Sequence, residues 1–79
     1  MEPTVHLNLF VRDQCHLCRL AEQTLDVMAL QWVAVEIDDD PELEQRYGLR
    51  VPVARNPATG EEIDFPFGEK EIRSLLSIP

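Results

Sequence analysis

The period of the hydrophobic pattern changes abruptly early in this chain, and its only two cysteines stand just past the change. Val5, Leu7, Leu9 and Val11 alternate with His6, Asn8 and Phe10. A period of two belongs to a strand. Arg12-Asp13-Gln14 breaks it. From Cys15 to about Ala29 the apolar residues recur at helical spacing. Cys18, Ala21, Leu25 and Met28 form one stripe, which Leu17, Leu20 and Val27 broaden, and no Gly or Pro interrupts. Such an arc suits a helix laid on a sheet. The chain is therefore expected to run from a strand, through a tight connection, into a helix that begins at a cysteine.

The remaining elements follow from punctuation. Trp32 to Ile37 is rich in β-branched residues and reads as a second strand. Asp40 is a good N-cap, Pro41 suits the first helical position, and Glu42 and Glu44 favour the positive end of the dipole. Gly48 is expected to close this short helix as a left-handed C-cap. Val51 to Arg55 reads as a third strand. Asn56 to Gly60 is a turn, and Glu61 to Phe65 a fourth strand that completes a hairpin. A helix from Gly68 to Ile78 ends the chain, with Ile72, Leu75 and Leu76 facing inward. The order is β-α-β-α-β-β-α, an α/β arrangement of a four-stranded mixed sheet flanked by three helices. The first two strands should be parallel, through a right-handed crossover, and the last two antiparallel. Residues 1–79 are expected to form a single domain with a thin core, because a chain this short buries only about 60% of its unfolded surface.

The spacing Cys15-His16-Leu17-Cys18 carries the chemistry. Residues three apart on a helix lie on one face, with Cβ atoms roughly 5–6 Å apart. A small adjustment brings them to the ~3.8 Å that a disulfide requires. Unpaired N–H groups and the dipole at a helix N-terminus stabilise a thiolate and lower the pKa of the first cysteine. The second, one turn inside, is shielded and can attack only a bond already made to its neighbour. Cys15 is thus the candidate nucleophile and Cys18 the resolving thiol. His16, when protonated, would add positive potential beside Cys15; otherwise it is an exposed spacer. A zinc site would need two more ligands, with only His6 and His16 at hand, so no metal is expected. Asp38-Asp39-Asp40 lacks further oxygen ligands at calcium-loop spacing and reads as a solvated turn plus cap.

Fifteen acidic residues face seven basic ones, for a formal charge of −8. That field repels phosphate backbones and anionic lipid, which argues against nucleic-acid and membrane-surface roles. No apolar run approaches the ~20 residues of a membrane helix. MEPTVHLNLF has neither a basic start nor a signal-type apolar stretch. A cytoplasmic location is expected, where a cysteine pair is more often catalytic or metal-binding than a structural staple. A monomer is expected too.

Pro52 interrupts an otherwise good strand, Val51-Pro52-Val53. Either it begins the strand as an ordinary trans residue, or the backbone uses a cis bond there.

With these residues in view, the chain resembles a glutaredoxin. The likeness rests on a strand, then Arg12-x-x-Cys15-x-x-Cys18 opening a helix, then Val51-Pro52 before a hairpin. Short bacterial glutaredoxin-like proteins carry a similar Cys-His-Leu-Cys and a Tyr-Gly-Leu-Arg-Val-Pro-Val stretch, here Tyr47 to Val53. The resemblance covers nearly the whole chain and implies a thioredoxin/glutaredoxin-like fold and a thiol–disulfide oxidoreductase. It implies that Pro52 is a cis-proline against the disulfide and that the Val51 backbone pairs with a bound substrate. Arg12, where glutaredoxins usually carry Lys, would hold a substrate carboxylate. Substrates would be disulfide-containing proteins or small thiols, with a reductase or glutathione as electron donor and no bound cofactor. Two other classes compete: a redox-silent interaction module of the same fold, and a thiolate carrier of metal or an iron–sulfur group. Retention of both cysteines opposes the first, and Val-Pro beside the site opposes the second.

The chain departs from the glutaredoxin pattern before its last helix. In place of Gly-Gly-x-Asp, which binds the γ-glutamyl end of glutathione, it reads Phe65-Pro66-Phe67-Gly68-Glu69-Lys70. Glu69 puts an anion where an anion should bind. Glutathione is therefore expected to be a poor donor. Efficient turnover at micromolar glutathione in a coupled disulfide-reduction assay would overturn this expectation.

Overall fold

The computed structural model describes residues 7–78, so Val5 and His6 lie outside the described residues. The elements run β1 (Leu7–Val11), α1 (His16–Val27), β2 (Trp32–Glu36), α2 (Pro41–Tyr47), β3 (Val53–Arg55), β4 (Glu62–Asp64) and α3 (Glu69–Leu75). This is the expected order. The sheet order is β2-β1-β3-β4. β1 pairs in parallel with β2, Leu7 opposite Trp32 and Val11 opposite Glu36. It pairs antiparallel with β3, Leu9 opposite Ala54 and Phe10 opposite Val53. β3 and β4 close the antiparallel hairpin.

Alternation along β1 divides the core in two. Leu7, Leu9 and Val11 are buried against Cys18, Ala21 and Leu25 of α1 and Ile72 and Leu75 of α3. Phe10 points the other way and is buried with Ile37, Tyr47 and Val53. The sequence sets Phe10 with Asn8 on the face opposite Leu7, Leu9 and Val11, and the structure agrees. In the structure α2 covers that face, so both faces of the strand are apolar. Burying each such large side chain contributes about 1.5–3 kcal/mol relative to leaving it exposed. The broad stripe expected on α1 is narrower than drawn: Leu17, Leu20 and Val27 are exposed. Only the stripe through Cys18, Ala21 and Leu25 meets the sheet.

Helix α2 starts as its sequence dictates. One Asp40 carboxylate oxygen accepts the Glu42 and Leu43 N–H groups, and Pro41 occupies the first turn. Its end corrects the expectation. Gly48 is right-handed, at φ −55° and ψ −36°, not left-handed. Its N–H still bonds the Glu44 carbonyl at 2.8 Å. Glycine is needed for room, because a Cβ there would collide with the Glu44 carbonyl oxygen and carboxylate. The helix is closed at Tyr47, whose carbonyl accepts both the Arg50 and Val51 N–H groups, at 2.8 and 3.0 Å.

Tyr47 fastens α2 to the sheet. Its ring stacks on Phe10 with centroids 4.1 Å apart, and its hydroxyl donates to Glu62. Arg50 adds hydrogen bonds to Glu62 at 3.1 Å and to Asp64 at 2.8 Å. On the other side of the sheet, buried Asn56 donates to the Leu75 carbonyl at the end of α3 and accepts the Ala58 N–H.

This network gives stability a pH signature. Burial alone would raise the pKa of Glu62, but hydrogen bonds from Tyr47 and Arg50 outweigh it and hold the carboxyl below its ordinary 4.5. The Arg50 hydrogen bond likewise holds Asp64 below its ordinary 3.8. A depressed carboxyl contributes stability that is complete above its ordinary value and is lost as pH falls through the depressed one. Urea midpoints measured from pH 7 downward should therefore hold steady to about pH 5 and then fall. Glu62→Gln should lower stability at neutral pH by about 1–2 kcal/mol and flatten part of the acid decline. An unchanged acid decline in that variant would show that Glu62 is not the group being titrated.

Candidate active site

β1 ends at Val11, and four residues later Cys15 opens α1. Gln14, at φ 55°, turns the chain between them. Asp38, in the turn after β2, holds this connection twice. Its carboxylate accepts the Asp13 N–H at 2.9 Å and the Arg12 guanidinium at 3.2 Å. Cys15 is the N-cap of α1, in extended backbone, and its sulfur accepts the Cys18 N–H at 3.1 Å. Ser or Asp at this position would do the same with oxygen. No acidic residue lies in the first turn of α1 to oppose a negative sulfur.

The two cysteines are joined as a disulfide, with Cα atoms 5.2 Å apart. Their surroundings differ. Cys15 is half-buried, whereas Cys18 is 0% exposed and belongs to the core with Leu9 and Ala21. His16 is exposed at the first helical position. The arrangement supplies one accessible sulfur at a helix start and one sheltered sulfur beneath it. That is a geometry for sequential attack at the outer sulfur.

Two further residues singled out in the sequence come to this end of the sheet. The Val51–Pro52 peptide is cis, with Pro52 buried. Val51 packs against both halves of the core, and Cys15 against the same cluster as Cys18. The resemblance implied that the Val51 N–H and C=O would both pair with substrate. In the structure the Val51 N–H is spent on the Tyr47 carbonyl. The end of α2 needs donors, and this is one of the two it takes. Among the described residues no donor meets the Val51 carbonyl, so that group alone is left for an added strand.

Arg12 also differs from its implied role. Its guanidinium meets Asp38, Glu44 at 2.9 Å and the Gly48 carbonyl at 3.0 Å. A substrate carboxylate would have to displace anions of the chain itself.

Sequence reasoning missed two features near the last helix. The Phe65–Pro66 peptide is cis as well. A Pro between two aromatics just before a helix was the available signal. The second is Glu71, whose carboxylate reaches back to accept the Gly68 N–H at 2.8 Å. That backbone hydrogen bond holds Glu71 below its ordinary 4.5. Glu69, the anion named from sequence, lies in the first turn of α3 together with Glu71, and Glu71 is the one that bonds back to Gly68; the spacing Gly68-x-x-Glu71 was the clue. An open groove of about 390 Å³ runs beside this segment, lined in part by Leu20, Val27, Phe65 and Phe67. Among the described residues, no group of three or more His, Cys, Asp or Glu side chains gathers in a way that could hold a metal ion. Nor is any described helix long and apolar enough to cross a membrane.

Solved structures share this architecture. An X-ray structure of Northeast Structural Genomics target protein XcR50 from X. campestris is 46% identical, with a TM-score of 0.81 over 92% of this chain and 97% of that one. The solution structure of the same target gives 45% identity and a TM-score of 0.80, over 95% and 96% of the two chains. Protein Ne2328 from Nitrosomonas europaea is 25% identical, with a TM-score of 0.73 over 94% and 95%. A comparison with curated proteins finds no match. The fold is thioredoxin-like, with a Cys-x-x-Cys pair at the head of its first helix. The family profile described as Glutaredoxin-like domain (DUF836) matches residues 6–77, and the chain belongs to that family.

The asymmetry of the pair sets an expectation. In reduced protein, Cys15 should be alkylated by iodoacetamide at least ~10-fold faster than Cys18 at neutral pH, because a cap N–H and the helix dipole favour its thiolate. Mass mapping of partly alkylated protein reads this directly. Faster labelling of Cys18 would reverse the two roles.

Proposed function

We propose that this protein is a dithiol oxidoreductase that reduces disulfides of proteins or small thiols. The observation that carries the proposal is the cap itself: Cys15 sulfur receives the Cys18 N–H at the start of α1, while Cys18 sulfur lies buried beneath it. In the reduced protein the Cys15 thiolate attacks one sulfur of a substrate disulfide. A Cys15–substrate bond forms, the substrate S–S bond breaks, and the other substrate sulfur leaves as thiolate and takes a proton from water. Cys18 then loses its proton and attacks the Cys15 sulfur. The Cys15–Cys18 disulfide forms and the second substrate thiolate departs. Two electrons have passed to the substrate. A thiol donor, either a reductase or glutathione, returns them by the reverse exchange.

Several features support parts of this reading. The Val51 carbonyl can take one backbone hydrogen bond from an extended substrate, which would set its disulfide in line with Cys15. Glu71 at the start of α3 opposes a glutathione carboxylate there, which favours a reductase over glutathione as donor. His16, exposed beside Cys15, adds positive potential when protonated. A reducing compartment such as the cytoplasm suits a catalytic pair that must return to dithiol.

Cys15→Ser should abolish disulfide exchange. Cys18→Ser should retain the first attack and accumulate mixed disulfides visible as mass adducts. Equal residual activity of the two single variants would exclude the two-step scheme.

A further inference from the structure

Two separate stretches of chain build the candidate site. One is the connection from Arg12 to Cys15. The other runs from Gly48 to Pro52 and presents the Val51 carbonyl. One follows β1 and the other precedes β3, and the hydrogen-bond ladder of the sheet stops short of both. Arg12 bridges them. It belongs to the first stretch, and its Nη2 donates to the Gly48 carbonyl at 3.0 Å in the second. The same nitrogen meets Glu44 of α2 at 2.9 Å, and Nη1 meets Asp38 at 3.2 Å. Asp38 in turn accepts the Asp13 N–H at 2.9 Å, one residue further toward Cys15. Glycine at position 48 leaves room for the Glu44 carboxylate, which lies where a Cβ would otherwise stand.

We infer that Arg12 is a positioning residue that fixes the Val51 segment relative to Cys15 through Asp38, Glu44 and the Gly48 carbonyl. This rests on the oxidoreductase reading for its consequence in catalysis, and departs from a role for Arg12 in holding a substrate carboxylate. The side chains concerned are partly exposed, and exposed ion pairs add little to global stability. Their value lies in geometry. Three acceptors spread around one planar group suit the guanidinium fork, and a single ammonium on a flexible stem cannot reproduce that spread. A substrate carboxylate, by contrast, would be served by Lys as a point charge.

The distinction is testable with Arg12→Lys and Glu44→Ala. The probes are a pair of peptides joined by a disulfide, made with either a C-terminal carboxylate or a carboxamide, and the small neutral 2-hydroxyethyl disulfide. A peptide needs the Val51 carbonyl in register; the small disulfide does not. Both variants should lose about 10-fold in kcat/KM on both peptides, since small misplacements of reacting groups are costly. Loss on 2-hydroxyethyl disulfide should stay within about twofold, because no backbone pairing is required there. Wild-type rates for Arg12→Lys would overturn the inference, as would a gain for Glu44→Ala confined to the carboxylate peptide. Equal losses on all three probes would overturn it too, by showing general damage. Should the wild-type protein exchange none of the probes, the oxidoreductase reading fails, and amide hydrogen exchange decides the positioning role separately. Arg12→Lys should then speed exchange at Asp13 and at Val51 together. An unchanged Val51 amide would sink the coupling between the two stretches.

Discussion

Strand β1 is hydrogen-bonded on both sides and covered on both faces, and the rest of the molecule is arranged around that fact. Its odd-numbered residues hold α1 and α3, and Phe10 holds α2 through the ring of Tyr47. A strand so enclosed has little freedom at its end. The connection that leaves it is short, and Cys15 inherits its position from Val11 through only three intervening residues. The cysteine then serves two purposes with one sulfur. It closes the helix by accepting an orphan N–H, and it belongs to the less buried cysteine of the pair.

Local rules made much of this legible in the sequence. Cys15 and Cys18 are separated by the helical spacing that a disulfide can span. Asp40-Pro41 is an N-terminus signature that needs no tertiary context. Phe10 lies on the face that alternation gives it, but its burial was not legible, because alternation in one strand says which residues share a face, not whether a second layer covers the other face. Leu17, Leu20 and Val27 failed in the opposite direction: helical periodicity counts them as apolar, but they lie outside the buried stripe of Cys18, Ala21 and Leu25. Gly48 shows the limit of residue-type rules. Glycine after a helix suggests positive φ, yet here the reason is crowding by the Glu44 carbonyl oxygen and carboxylate, which no local pattern encodes. Arg12 belongs with these. Its partners Asp38 and Glu44 are 26 and 32 residues away, beyond any local pattern.

The charge of −8 is unevenly spent. Arg12, Arg19, Arg50, Arg55 and Arg73 all face carboxylates within the chain. Several acids instead stand at helix starts, where Asp40, Glu42, Glu69 and Glu71 meet favourable dipoles. The head of α1 is the exception. It carries no acid in its first turn and places a sulfur where the other two helices gather carboxylates. The start of the longest helix is thus left without carboxylates beside the one sulfur that the proposed chemistry needs as an anion.

Arg50 shows what such bookkeeping implies for sequence change. It stands next to Val51 and is bound to both Glu62 and Asp64, while Glu62 also receives the Tyr47 hydroxyl. Removing Arg50 alone would leave two neighbouring carboxylates without their shared cation, beside a buried ring. Removing either carboxylate alone would loosen the arginine beside the cis-proline segment. The three positions form one unit, so in descendants and relatives of this chain they should covary: a sequence that abandons the arginine should abandon an acid of the fourth strand with it.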